Sequence, residues 1–305
     1  AFSGEGGGER ARAGAAVSRR AAGRPADESG PRRRRSRGAL TVLLAATALA
    51  LGAAACGDDT TGAGSSPAAS TTASATKDPA ATSLTVFAAA SLTETFTDLA
   101  DKFEAAHPGA DVKLNFAASS ALAQQITSGA PADVFASASN STMKQVTDAG
   151  LTVGTPAVFV RNSMEIAVPP DNPAGITSLA DLAKPGVKVA LCEEQVPCGA
   201  TALAALKKAG VTVQPATLGQ DVKSVLTLVE LGEVDAALVY RTDVAAAGDK
   251  ARGIEIPDAQ NASTDYPIAA LTDSEHPEAA KAFVDFVLSA TGTEVLTKAG
   301  FSQPL

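Results

Sequence analysis

Tryptophan is missing from this chain, and aromatic residues of all kinds make up only 4% of it. Any core must therefore be assembled largely from Ala, Val and Leu. The apolar content of 45% over 305 residues suffices for one large domain or two ordinary ones. Two histidines and three cysteines, scattered along the chain, are too few for a zinc cluster. Basic residues are also scarce where a fold is expected. The first 38 residues hold ten arginines against four acids, a local +6, so the overall charge of -8 leaves -14 for residues 39–305. Nucleic acid requires a basic footprint on the folded part, and here it is confined to a short arm, which argues against nucleic-acid binding.

Residues 1–31 are rich in Gly, Ala and Arg without apolar periodicity, and no fold is expected there. Arg32, Arg33, Arg34, Arg35 and Arg37 then precede an uncharged stretch that ends at Cys56. A basic segment, an apolar segment and terminal small residues together read as a secretory signal. The run Ala53-Ala54-Ala55-Cys56-Gly57 resembles a bacterial lipoprotein signal, in which the cysteine carries the lipid, although Ala53 stands where such signals usually have Leu. The alternative is ordinary secretory cleavage with Cys56 discarded. Residues 57–83 contain no large apolar side chain, so they read as a flexible tether with a typical reach of about 30 Å.

From Leu84 onward, short apolar runs alternate with amphipathic helices. Strands are expected at 84–88, 112–116, 134–136, 157–160, 165–168, 187–191, 236–240 and 266–271. Helical stripes run through Leu92, Phe96, Leu99 and Phe103, through Leu122 and Ile126, and through Leu203 and Leu206. Further stripes cover Val222 to Val229 and 279–288. This alternation implies an α/β fold with mostly parallel sheets. About 222 residues suit two lobes better than one.

In open α/β sheets, ligands gather at the carboxyl ends of strands, where helix N-termini converge. Four such junctions are built from small or hydroxyl residues: Ala89-Ala90-Ser91, Ala117-Ala118-Ser119-Ser120, Val196-Pro197-Cys198-Gly199 and Gly219-Gln220-Asp221-Val222. Small side chains allow close approach to the backbone, and unpaired N–H groups favour an anion. Ser91 and Ser119 also occupy positions where ordinary helix N-caps would sit. Periodicity alone reaches an α/β domain with anion-binding turns and no further.

The segments at these junctions carry a resemblance. TVFAAASLTETF (85–96), FAASSALAQQITSGAPADVFASA (116–138), VPCGATALAAL (196–206), DVKSVLTLVELGEVDAALVYRTD (221–243) and YPIAAL (266–271) are similar, in the same order, to the molybdate-binding proteins of ABC importers. The resemblance implies a two-lobed type II periplasmic-binding-protein fold with the ligand cleft between the lobes. Its expected divisions are 1–56 for the N-terminal extension and signal, 57–83 for the linker, 84–163 for the first part of lobe I, 164–265 for lobe II and 266–305 for the return. It implies a tetrahedral dianion held without counter-charges. Ser91 and Ser119 would offer hydroxyl and amide donors, Cys198 (where the family often has Ala) and Val222 backbone amides, and Tyr240 its phenol. Cys192 and Cys198 flank one of these turns in an exported chain, so a disulfide between them is expected.

Uncharged donors are physically adequate. The long-range repulsion from -14 is screened over about 8–10 Å, whereas fixed dipoles in a closed cleft keep their strength. The resulting expectation is an extracytoplasmic, lipid-anchored, monomeric solute-binding protein. It would deliver molybdate, and tungstate too, to an ABC permease, with no enzyme activity, no cofactor and no metal beyond the oxyanion. Another tetrahedral oxyanion such as sulfate remains open, as does a secreted α/β hydrolase. Against the hydrolase, Ser91 lies in Ala-Ala-Ser-Leu-Thr and not in Gly-x-Ser-x-Gly, and His107 and His276 read as exposed turn residues. Asp133 and Asp235 read as turn caps.

Overall fold

The computed structural model describes residue 80 and residues 82–304. By its internal contacts the chain divides into units 1–70 and 71–305, and every described residue belongs to the second. The basic arm, the signal, Cys56 and nearly all of the tether lie outside the described residues. The last tether position does not: Ser83 is the first residue of β1, and the Thr82 carbonyl already accepts from the Asp111 amide at 3.1 Å.

In chain order, β1 (Ser83–Ala89) runs through a 3-10 turn (Ala90–Leu92) into α1 (Thr93–Ala106), β2 (Asp111–Ala117) into α2 (Ser119–Thr127), and β3 (Val134–Ala136) into α3 (Asn140–Asp148). After β4 (Ala157–Val168) come β5 (Val189–Cys192), α4 (Pro197–Ala209), β6 (Thr217–Gly219), α5 (Val222–Glu230), β7 (Ala236–Tyr240) and α6 (Arg241–Ala247). Then follow β8 (Arg252–Ile254), β9 (Ser263–Ala270), α7 (Pro277–Val287) and α8 (Ala290–Lys298).

The strands lie in the order β2-β1-β3-β9-β4-β7-β5-β6, with β8 added to β4. The sheet is mixed, not mostly parallel as the alternation suggested. The strand–helix repeats do give parallel pairs, β1 with β2 and β3, and β5 with β6 and β7. Yet β4 and β9 run against every neighbour they have.

Two runs expected as separate strands, 157–160 and 165–168, are the ends of the continuous strand β4. The polar residues between them look like a break in sequence but are accounted for in space. Arg161 Nε lies 2.8 Å from Asp265, and buried Asn162 donates to Thr242 at 2.8 Å. From Ala157 to Ser163 the strand pairs with β9, and from Met164 to Ala167 it pairs with β7.

Distinct hydrophobic cores follow this change of partner. One gathers Ile166, Leu182, Val189, Leu206, Val225, Leu238 and Tyr240. On the other side, Leu84, Phe96, Leu99, Phe103, Tyr266 and Phe283 form one cluster, with a satellite of Phe87, Leu122, Phe135 and Met143. Helical stripes explain most of these positions. Leu203 is an exception: it is 39% exposed, and α4 buries Ala202, Ala205 and Leu206 instead.

Candidate functional site

The strand ends of β1 and β2 present the two serines, and neither is a helix cap. Ser91 sits inside the 3-10 turn, where Leu92 is the N-cap of α1, and Ser119 is the first residue of α2, capped by Ala118 without a side-chain bond. Their hydroxyls are thus spared the usual capping duty. Both are buried. Ser91 Oγ lies 2.7 Å from the Tyr266 hydroxyl, and Ser119 Oγ accepts from the Ala138 amide at 2.9 Å. A serine that accepts from the protein keeps its own proton for a ligand.

The other half of the site is made of backbone. Pro197 opens α4 at a position where its missing N–H costs nothing. Cys198 follows, and its first-turn amide has no intrahelical acceptor. A disulfide joins Cys198 to Cys192 at the end of β5, with Cα atoms 5.8 Å apart. The helix enters so close to the β5 end that a Cβ on Gly199 would lie 1.9 Å from the Glu193 carbonyl oxygen. Glycine is required by that approach. Val222 begins α5 behind a capping box, in which Asp221 accepts from the Ser224 amide at 2.8 Å and Ser224 Oγ returns a bond to the Asp221 backbone. Tyr240 ends β7.

These pieces meet. Ser91, Ser119, Cys198, Val222 and Tyr240 all line one cavity, completed by Ala89, Ala90, Ala118, Ala138, Val196, Pro197 and Asp221. None of the twelve lining residues is Lys or Arg. The only acid among them, Asp221, is engaged in its helix cap. The cavity between them is small, about 20 Å³, room for one compact ion. Three α-helical N-termini and the 3-10 turn converge on it, which favours negative charge.

The Tyr240 hydroxyl is fully buried and makes no well-formed hydrogen bond within the described residues. Nearby, the Thr201 hydroxyl donates to the Pro197 carbonyl at 2.8 Å, and the Tyr266 hydroxyl lies 2.7 Å from Ser91 Oγ. Burial, then the neighbouring Asp243 carboxylate, push the Tyr240 phenol well above its ordinary range, so it stays protonated and able to donate.

A charged cluster stands behind the cavity. Lys223 Nζ contacts both oxygens of Glu94 on α1 at 2.8 and 2.9 Å and Asp243 on α6 at 3.1 Å. Burial alone would lower the lysine pKa, but the two carboxylates outweigh it and the net shift is upward. Asp243 is completely buried, and desolvation pushes it up to about 6 even though Lys223 opposes the shift. The cluster sets one lysine against two carboxylates, outside the cavity lining.

The sequence reading missed Ala138, Tyr266 and the Lys223–Asp243 pair. Tyr266 lay within a quoted motif and is one of two tyrosines, so scarcity was an available signal. The ion pair had none, since its members are 20 residues apart on different helices. Asp133 and Asp235 are structural: they accept from the Thr85 and Lys188 amides at 2.7 Å each. The histidines are half-buried helix-end residues and not the exposed turn positions expected, with the His107 ring tilted against Phe103, centroids 4.4 Å apart. Among the described residues no group of three or more His, Cys, Asp or Glu could hold a metal ion.

Residues 84–302 match the family model described as bacterial extracellular solute-binding protein. The molybdate-binding protein ModA of Mycobacterium tuberculosis is 39% identical over 224 residues, 73% of this chain and 86% of that protein. A putative ABC transporter substrate-binding lipoprotein of Bacillus subtilis, YvgL, is 31% identical over 238 residues, covering 75% of this chain and 90% of its own. The periplasmic molybdate-binding protein of Azotobacter vinelandii superposes with a TM-score of 0.64 at 18% identity, over 73% of this chain and all of that one, which extends the likeness in fold. With its two-lobed type II architecture, the chain belongs to the bacterial extracellular solute-binding proteins, whose members serve ABC importers as binders and not as enzymes.

Proposed function

We propose that this protein captures molybdate, and tungstate too, and delivers it to an ABC permease. One observation carries the reading: five residues from four separate junctions and one strand end line a cavity of oxyanion size without a cationic side chain. In this reading Ser91 and Ser119 donate hydroxyl and amide protons, Cys198 and Val222 backbone amides, and Tyr240 its phenol. A tetrahedral dianion would satisfy the buried Tyr240 hydroxyl, which fits the need of such a group for a partner. The absence of a fixed positive charge limits affinity and so favours release to the transporter. The disulfide holds the turn that offers Cys198. The similarity to a molybdate-binding protein supports molybdate over other cargo.

We further propose that lobe I comprises 84–163 and 266–305 and lobe II comprises 164–265, that the protein acts as a monomer, and that Cys56 carries a lipid tethering it outside the cell membrane. The B. subtilis relative's description as a lipoprotein supports the anchor. Parallel thermal melts with molybdate, tungstate, sulfate and phosphate test the cargo. Molybdate and tungstate at about a hundred times their dissociation constants should each add ~2.7 kcal/mol of stability. Stabilisation by sulfate alone would move the assignment to that anion. Mass spectrometry of protein expressed with its signal tests the acyl group on Cys56.

A further inference from the structure

Three of the residues that line the cavity are each followed closely by a charged side chain, and the three charges meet. Glu94 comes three residues after Ser91, in the first turn of α1. Lys223 comes directly after Val222 at the start of α5, and Asp243 three residues after Tyr240, in the first turn of α6. Lys223 Nζ lies 2.8 and 2.9 Å from the two Glu94 oxygens and 3.1 Å from Asp243. Helix α5 also packs against the 3-10 turn that carries Ser91. One ammonium group thus ties together three of the turns that gather around the cavity.

Its two carboxylate partners are unlike. The Asp243 side chain is fully buried, and neither of its oxygens makes a well-formed hydrogen bond among the described residues. Taking Lys223 away from it would leave a buried charge unpaired, which is strongly unfavourable. The Glu94 side chain is 53% exposed, so on parting from Lys223 it returns readily to water. In the lobe division proposed above, Lys223 and Asp243 belong to lobe II and Glu94 to lobe I. The permanent half of the contact therefore lies within one lobe, and the releasable half joins it to the other.

We propose that Lys223 is a positioning residue of the anion site. Anchored by Asp243, it catches Glu94 when the lobes meet and so holds Ser91 beside Val222 and Tyr240 around the bound ion, although it is not itself among the lining residues. This rests on the anion-binding reading and the lobe division above. A tie made only after the lobes have met retards their opening and leaves capture alone, so its effect falls on the rate of release. The sign is diagnostic. Removing a negative charge beside an anion site would, by charge alone, slow release. Removing the catch speeds it.

Stopped-flow tyrosine fluorescence with molybdate reads these rates, and calorimetry the affinity. Tyr240 and Tyr266 are the only tyrosines and the chain has no tryptophan, so its emission reports on the site. Glu94→Gln should raise the release rate about threefold, the scale of a partly exposed ion pair, with the association rate unchanged. The difference should shrink in about 0.5 M salt, which screens such a pair. In a background of Lys223→Met with Asp243→Asn, which leaves no buried charge unpaired, Glu94→Gln should have no further effect on release. Unchanged or slower release in Glu94→Gln overturns the proposal. So does an acceleration that salt does not diminish, or one that persists in the doubly substituted background. If that background does not fold, the sign and salt response of Glu94→Gln decide alone. If the unmodified protein binds no molybdate in the calorimeter, the anion reading itself fails and the proposal falls with it, a result distinct from release that Glu94→Gln leaves unaltered.

Discussion

The two sides of the cleft solve the same problem with different materials. On the side of β1 and β2, side-chain hydroxyls face the cavity and are backed by further polar groups, the Tyr266 hydroxyl and the Ala138 amide. Across the cleft, backbone amides at the starts of α4 and α5 take over, fixed by a disulfide, a capping box and a glycine pressed against a carbonyl. The cores differ in parallel. All nine described phenylalanines fall in the clusters of the first side, while Tyr240 is the sole aromatic among the buried residues of the other. Side-chain donors thus sit on an aromatic core, and backbone donors on an aliphatic one held by local covalent and capping devices.

The sharpest test of that contrast is in the cores. Phe283→Ala removes a ring wedged against Phe96 and Phe103 and should cost about 3–5 kcal/mol of stability. Leu226→Ala, in the aliphatic core, should cost less, toward the lower end of ~2–5 kcal/mol. Equal shifts in urea midpoint would erase the distinction.

The buried acid comes next. Asp243 titrates at about 6 when folded against an ordinary 3.8. Between those values the native state keeps a proton that the unfolded chain has lost. Stability therefore falls as pH rises through about 4 to 6, by a few kcal/mol at most, and the penalty is complete above that range. Asp243→Asn should flatten this part of the profile, as read from urea midpoints at pH 4.5 and 7.

Within the site, Ser91→Ala or Ser119→Ala should each weaken molybdate binding by ~1–3 kcal/mol and also lower the melting temperature, since each strands a buried partner, the Tyr266 hydroxyl or the Ala138 amide. Replacing Cys192 and Cys198 together by Ala should spare binding. Stability should drop by about 2 kcal/mol through the lost loop constraint, while the Cys198 amide still donates. Calorimetry and melting on the same samples separate these outcomes. The smallest effect is expected at the partly exposed Glu94: Glu94→Gln should change stability by less than about 1 kcal/mol.

Much of the fold was legible because apolar spacing at 2 and 3.6 residues is a local property. The helices through Phe96 and Val225 and the strand ending at Tyr240 follow from it directly. What escaped was non-local. Asn162 and Arg161 look like a loop until β9 and α6 supply their partners, so β4 read as two strands. Helices α3 and α6 are too short or too polar to announce themselves. The site showed a similar split. Ser91, Ser119, Cys198, Val222 and Tyr240 lie in recognisable junction motifs, and resemblance rather than periodicity singled them out. Tyr266 and Lys223 meet their partners, Ser91 and Asp243, across separations that no single segment encodes.

Strand β4 passes from one partner to the other without a spacer: Ser163 faces β9 and Met164, the next residue, faces Tyr240. In the lobe division proposed above, this peptide is a crossing between the lobes and pairs with Tyr240, which lines the cavity. An ion bound as proposed would lie beside that crossing, so a motion of one lobe against the other would displace the outer rims more than the ion.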